Sequence, residues 1–287
     1  MKGIILAGGT GSRLFPSTIS VSKQLLPVYD KPMIYYPIST LMLAGVREIL
    51  IITTPQDQES FKNLLGDGGV FGISIRYTVQ DRPRGLAEAF IIGEDFLSGE
   101  SVLMILGDNI FHGVGLGKEL RRNFPERGAH IFTYEVSNPE DYGIVEINEN
   151  GIPVTIEEKP RKPKSNLAIT GLYYFDASVC EIAKQVKPSD RGELEITSVL
   201  DKYLQNDTLT LTQLSRGTAW LDTGNPNSMH DAASFVRIIE ERTGLKIGCP
   251  EEIAFRNYWI SQDSLRQRAH YLGTTAYGKY LLSLRLH

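Results

Sequence analysis

Cysteine is nearly absent from the 287-residue chain: Cys180 and Cys249 lie far apart and form no CxxC pair. That excludes a disulfide framework and a cysteine-rich zinc site, and both thiols are expected to be reduced and structural. No excess of positive charge is present either, since 30 Lys and Arg face 34 Asp and Glu for a formal net charge of −4. The densest basic run, "KPRKPK" at 159–164, is broken by prolines. Nucleic-acid binding needs a concentrated basic face, so no nucleic-acid partner is expected. No apolar run is long enough to cross a membrane, and Gly8 and Gly9 cut the first one short of a signal-peptide core. A soluble cytoplasmic protein with no membrane partner is expected. Internal repeats, low-complexity tracts and a clear interdomain linker are also missing.

What is present is alternation. Short apolar runs at 3–7, 47–53, 73–79, 102–106, 130–136 and 168–175 read as strands. Between them, helical patterns occupy 33–44, 57–65, 86–97, 116–123 and 178–186, the first stopped by Gly45. The order implies parallel strands joined by crossover helices, an α/β sandwich. Two alternating runs around Asn150-Gly151 interrupt it and predict an antiparallel hairpin, so the sheet should be mixed. Beyond "AWLDTGN" the chain turns helical, at 226–243, 250–257, 261–271 and 275–285. These patterns divide one domain into a core over 1–240 and a C-terminal helical extension over 241–287.

The stretch "GIILAGGTGSRLFP" (3–16) runs a buried strand into three glycines, two hydroxyls and an arginine. In an open α/β sheet, ligands bind beyond the carboxyl ends of the strands, where this loop should lie. A P-loop would need a lysine directly after the glycines, but the next one is Lys23. A dinucleotide fingerprint would start at Gly9 and Gly11, but Leu14 occupies its third glycine position. No lysine has tyrosine four residues before it, which removes the short-chain dehydrogenase pair. What remains is a polyphosphate cradle. Side-chain-free residues let backbone N–H groups approach the anion, and Arg13 and Lys23 bring charge to it.

Elsewhere, Asp108 follows the apolar strand in "SVLMILGDN", and Asp222 stands between an apolar run and a glycine in "WLDTG". Taken alone, each carboxylate could be a helix cap, or the two could supply oxygens to a hard divalent cation shared with substrate phosphates. Glu158 and Lys159, at the end of the hairpin's return strand, could be no more than a solvated ion pair.

The glycine segment resembles the signature of the sugar-nucleotide pyrophosphorylases, the nucleotidyltransferases that make NDP-sugars. The likeness continues through "KQLLPVYDKPMIYYPISTLMLAG", "GLAEAFIIGEDF", "LGDNIFHG", "EEKP", "SNLAITGLYYFD", "RGELEIT", "AWLDTG" and "CPEEIAFR", in order over nearly the full chain. It implies a Rossmann-like mixed sheet, a Mg²⁺-dependent reaction and a homotetramer. Within the family the chain is similar to enzymes that join dTTP to glucose 1-phosphate, giving dTDP-glucose and pyrophosphate on the way to dTDP-deoxysugars such as dTDP-L-rhamnose. A UTP-using enzyme that makes UDP-glucose is the alternative.

The resemblance also implies roles. Arg13, Lys23 and Lys159 would be catalytic. Leu6, Gly8, Gly9, Thr10, Gly11, Ser12 and Asp108 would hold the nucleotide, and Gln24, Gln80 and Gly85 would read its base, with Leu86 adjoining on the sugar side. Asn109, Tyr142, Gly143, Glu158, Thr170 and Gly171 would line the sugar pocket, and Asp108 and Asp222 would hold the metal. His112, Arg216, Glu252 and Ile253 match a second, regulatory nucleotide-sugar site. Three positions depart from the family pattern: Ser12 where threonine is common, "QDRPRG" (80–85) where relatives often have "QPSPDG", and His112 for a frequent tyrosine.

Overall fold

The computed structural model describes residues 1–121 and 124–285. The chain enters along β1 (Lys2–Ala7), whose six residues are all buried. A small ribbon of β2 (Pro27–Val28) and β3 (Lys31–Pro32) leads to α1 (Tyr35–Leu43). Gly45 follows with φ 89, the left-handed conformation that glycine adopts without penalty. Then come β4 (Glu48–Thr53), α2 (Gln58–Leu65), β5 (Ser74–Val79), α3 (Glu88–Ile92), α4 (Glu94–Leu97) and β6 (Val102–Leu106). β7 (Asn109–His112), α5 (Leu116–Leu120), β8 (Ala129–Glu135), β9 (Gly143–Ile147), β10 (Pro153–Glu158) and β11 (Leu167–Phe175) fill the middle. After α6 (Val179–Gln185), α7 (Ile196–Gln205), β12 (Leu209–Gln213) and β13 (Ala219–Asp222), the chain ends in helices. These are α8 (Pro226–Thr243), α9 (Pro250–Arg256), α10 (Gln262–Tyr271) and α11 (Ala276–Ser283).

One nine-stranded mixed sheet organises the molecule, in the order β10-β9-β11-β6-β1-β4-β5, with β8 on β11 and β12 on β8. The pairs β6-β1, β1-β4 and β4-β5 are parallel, as crossover helices require. β11 runs antiparallel to both β6 and β8, so the continuous parallel part stops at β6, earlier than the alternation alone suggests, and parallel pairing returns only between β8 and β12. The central strands are covered on both faces. Ile5, Ile49, Ile51, Leu103 and Ile105 face α1 and the C-terminal helices, while Ile4, Leu50, Ile52, Val102 and Met104 face α3, α6 and α7. Phe255, Leu265, Tyr277 and Leu281 of the extension share the first cluster, so the extension packs on the sheet's own core.

The expected hairpin is β9 and β10, paired antiparallel across a turn in which Asn148 Oδ1 accepts from the N–H groups of Asn150 and Ile152. The single helix expected over 86–97 is broken at Gly93. A Cβ there would lie 3.1 Å from Ile4 and 3.3 Å from Leu50, so the bend packs closely on β1 and β4. The helix expected over 116–123 is α5. Positions 122–123, like 286–287 of the extension, lie outside the described residues. Helix α7, strand β12 and the β7-β13 ribbon are additions that the periodicity did not reveal.

Candidate active site

A cavity of about 500 Å³ opens beyond the carboxyl ends of β1, β5 and β6. At one end lies the glycine loop. Gly11 takes φ 62, with its carbonyl accepting from Thr18 Oγ1 at 2.7 Å, and a Cβ there would meet Thr18 at 3.1 Å. The exposed Arg13 follows on a single short turn. Leu6, Gly8, Gly9, Thr10, Gly11, Ser12 and Arg13 all line the cavity.

Asp108 and Asp222 are brought together by the β7-β13 ribbon, whose register sets Asp222 opposite Asn109. Thr223 closes it by donating from both N and Oγ1 to the Asp108 carbonyl, 115 residues back along the chain. Lys23 Nζ is ion-paired with Asp108 Oδ2. Burial would raise the Asp108 carboxyl, but the charge and hydrogen bond of Lys23, with Asn109, hold it below its ordinary value. Asp222 goes the other way: burial, then the neighbouring Asp108 charge, push it up to about 6. Two carboxylates share this end; Asp108 is ion-paired, while the Lys23 and Arg13 charges offset only part of the rise at Asp222. Among the described residues no cluster of three or more His, Cys, Asp or Glu forms a closed metal cage. The oxygen pair fits the other arrangement, a hard cation completed by substrate phosphates.

Asn109 ties this end to the next. Only 3% exposed, it donates from Nδ2 to Asp108 Oδ1 at 3.0 Å. Its Oδ1 accepts from Trp220 Nε1 at 2.6 Å and from the Gly171 N–H at 3.2 Å. A Cβ on Gly171 would strike that amide at 2.6 Å, so glycine is required by close approach. Trp220 in turn packs against Tyr142, with ring centroids 5.1 Å apart.

At the far end, Lys159 follows β10 with φ 45, an uncommon conformation for a side-chain-bearing residue, and its N–H donates to the Tyr142 carbonyl. Glu158 lies against Gly143, where a Cβ would approach its Oε2 to 3.3 Å. Burial, and then the Glu195 charge, raise the Glu158 carboxyl, with Lys159 and Arg191 pulling back. Arg191 reaches Glu195 at 2.8 Å and Glu158 at 3.5 Å. Gln24, Gln80, Gly85 and Leu86 form another part of the wall.

Segments far apart in sequence thus supply one cavity, whose wall contains every expected catalytic, metal and nucleotide position. Of the expected sugar positions only Thr170 is absent from the wall: it is 0% exposed and donates its hydroxyl to the Phe132 carbonyl, where β11 shifts register against β8. The expected regulatory residues also lie elsewhere. His112 packs edge-on to Phe235, and Arg216 is exposed. Glu252 accepts from Arg256 at 2.7 Å and from Tyr280 at 2.5 Å, and Ile253 packs on the core. Sequence reasoning missed Arg191, Glu193, Glu195, Thr197 and Trp220 in the cavity wall. The signal for the first four was "RGELEIT", a charged run before an amphipathic helix. Its Leu194 backbone holds the 84–87 part of the wall through Leu194 N to Arg84 O and Ala87 N to Leu194 O.

The nucleotidyl transferase family profile matches residues 2–238. A glucose-1-phosphate thymidylyltransferase of Neisseria meningitidis serogroup A is 56% identical over 285 residues, covering 99% of each chain. A sucrose-bound crystal structure of a Bacillus anthracis protein assigned the same activity superposes with TM-score 0.77 at 40% identity, over 83% of this chain and 95% of that one. A UDP-glucose pyrophosphorylase bound to UDP-glucose shares the fold, with TM-score 0.73 at 24% identity over 83% of this chain and 98% of that one.

Proposed function

The chain belongs to the nucleotidyl transferase family, and within it we propose thymidylyl transfer: dTTP and α-D-glucose 1-phosphate give dTDP-glucose and pyrophosphate. The observation that carries this reading is the single cavity with a cation-bearing glycine loop at one end and the Glu158-Lys159 pair at the other. Full-length likeness to a thymidylyltransferase supports dTTP, whereas the UDP-glucose enzyme shares only the fold.

A phosphate oxygen of the sugar phosphate attacks the α-phosphorus in line, and the bond to pyrophosphate breaks. The attacking phosphate is already ionised at neutral pH, so alignment and charge neutralisation suffice, without a strong general base. Backbone N–H groups of residues 8–12 and the Arg13 guanidinium hold the departing phosphates. Lys23, fixed by Asp108, stands over the transferring group. Lys159 and Arg191 face the sugar phosphate, and Glu158 accepts from sugar hydroxyls. Trp220 and Tyr142 flank the ring. Asp108 and Asp222 would hold Mg²⁺, which supplies charge neutralisation on the phosphates.

The core over 1–240 accounts for this chemistry, and the extension over 241–287 serves the assembly. A cytoplasmic homotetramer is proposed, in which His112, Arg216, Glu252 and Ile253 contribute to a second site where dTDP-L-rhamnose inhibits. Among the described residues, no helix is long and apolar enough to cross a membrane.

Pyrophosphate release with Mg²⁺ should be measured for dTTP, UTP, dATP and dCTP, each against glucose, galactose and glucosamine 1-phosphates. dTTP with glucose 1-phosphate should be fastest. UTP, which lacks the methyl and adds a 2′-hydroxyl, should trail by at least the about 1–3 kcal/mol that one methyl gives, and the purine should be inactive. Equal kcat/KM for dTTP and dATP would remove the proposal.

A further inference from the structure

The base wall contains an amide whose orientation is fixed without ambiguity. Gln80, 4% exposed, donates from Nε2 to Glu88 Oε2 at 2.7 Å and to the Gly85 carbonyl at 3.2 Å. A carboxylate and a carbonyl can only accept, so the nitrogen must be the atom that faces them. Both its hydrogens are then used, and Oε1 is turned the other way, against Gly8, where a Cβ would lie 3.3 Å from it. Gln24 on the same wall has no such constraint. Its partner is the Ser22 hydroxyl at 2.6 Å, which can donate or accept.

Glu88 has no direct place in the cavity. It sits 8% exposed at the start of α3, and its other oxygen is held by Arg84 Nε at 2.9 Å. Arg84 belongs to "QDRPRG", and its carbonyl accepts from Leu194 N at 2.7 Å. The chain Leu194–Arg84–Glu88–Gln80 therefore runs from the loop behind the cavity to an amide in its wall.

We propose that Glu88 is a specificity-determining positioning residue: by occupying the Gln80 amide nitrogen, it makes the base wall present an acceptor. A base can use that acceptor only if its facing edge carries an N–H. Thymine and uracil do, through the ring imino group. Cytosine has a bare ring nitrogen at that position and its amino donor one atom away, so in the same pose two acceptors would face each other. A site built to pair with one polar edge rejects the opposite edge strongly, because its own buried group is left unpaired. The proposal rests on the thymidylyl-transfer reading.

The test compares dUTP with dCTP, which differ only on that edge, in the wild type, Glu88→Met and Glu88→Gln at saturating glucose 1-phosphate. The wild type should favour dUTP by about 100-fold or more in kcat/KM. Glu88→Met leaves only the Gly85 carbonyl, the longer partner at 3.2 Å, to orient the amide, and should compress that ratio about tenfold or more through KM, rising for dUTP and falling for dCTP. The glucose 1-phosphate KM and the dTTP-to-dUTP ratio should not move, because neither the sugar nor the methyl reads the Gln80 orientation. In Glu88→Gln, residue 88 can either accept or donate, so a smaller compression, about threefold or more, is expected. A folded Glu88→Met protein with an unchanged ratio, or with all nucleotides weakened alike, overturns the proposal. If Glu88→Met does not fold, an unchanged ratio in Glu88→Gln overturns it. Calorimetric binding of dUDP and dCDP to the same proteins reads the selectivity without turnover. If the wild type transfers no thymidylyl or uridylyl group, the functional reading fails, while the binding ratio still judges Glu88.

Discussion

Buried carboxylates occur both in the cavity and beneath the C-terminal helices, and the two regions treat them differently. Under the extension, Glu251 is 0% exposed and fully engaged: Arg268 donates to Oε1 at 3.1 Å and Tyr277 to Oε2 at 2.7 Å. Arg268 also donates to the Tyr35 hydroxyl of α1 at 3.2 Å, which ties the extension to the core. Glu240 behaves alike, bonded by Lys31 at 2.8 Å and by the Ile247 N–H at 2.9 Å. In the cavity, Asp222 has no ion-pair partner among the described residues and Arg13 stays exposed. Charges that hold the fold are balanced within the chain. In the cavity Lys23 and Arg191 are paired within the chain, but among the described residues Asp222 and Arg13 have no ion-pair partner and are left for something that arrives.

That contrast predicts opposite kinds of damage. The largest effect belongs to the balanced region. Arg268→Met strands Glu251 as an uncompensated buried charge and should cost about 3–5 kcal/mol of stability. Urea unfolding measures it, and the Mg²⁺ dependence of the surviving activity should match the wild type. A loss under 1 kcal/mol would break the contrast from this side.

Next in size are Asp108→Asn and Asp222→Asn, each expected to lower kcat by about 10²–10³ through lost charge stabilisation. Asp222→Asn should leave the unfolding midpoint unchanged or raised, because it relieves repulsion from Asp108. Full turnover of either variant at saturating Mg²⁺ would break the contrast from the other side.

The smallest effect sharpens it. His130 lies between two threonine hydroxyls, at 2.8 and 3.0 Å, and burial lowers its pKa to about 4. The folded imidazole stays neutral where the unfolded one, near 6.5, takes a proton. The unfolded state thus binds more protons, and stability is lost as pH falls from about 6.5 towards 4. The loss should be about 1–3 kcal/mol. Unfolding curves at pH 7 and 4.5, compared with His130→Asn to subtract the carboxylates, should show the variant's slope flattened. An identical slope in both proteins would show that His130 is protonated without cost.

Much of the parallel half and the whole glycine loop were legible in the sequence, because both are local. A strand buried on both faces is a continuous apolar run, and an anion loop is a run of glycines. α8 begins and ends where its pattern does, at Pro226 and Thr243, since its cap and terminating glycine lie in its own sequence. The 187–218 segment was harder. α7 is amphipathic, but β12 pairs with β8 some 80 residues earlier, as Thr210 pairs with His130, and nothing in "LTLTQ" announces its partner. The same limit hid Trp220, whose place depends on an Asn109 amide across the ribbon.

The sequence by itself determined which chemistry is available: glycines and cations for a polyphosphate, two aspartates after strands, and a carboxylate–lysine pair after a hairpin. These depend on residue type and on periods of two to four residues, and near-neighbour sterics fix them. Only the tertiary structure decided how they are shared out. It set Lys23 on Asp108 and not on Asp222, buried the Thr170 hydroxyl against Phe132, and put the Gln80 amide nitrogen on Glu88. Each of these is a pairing across elements, settled by which groups burial leaves to satisfy one another. A one-dimensional pattern carries no distance between such groups.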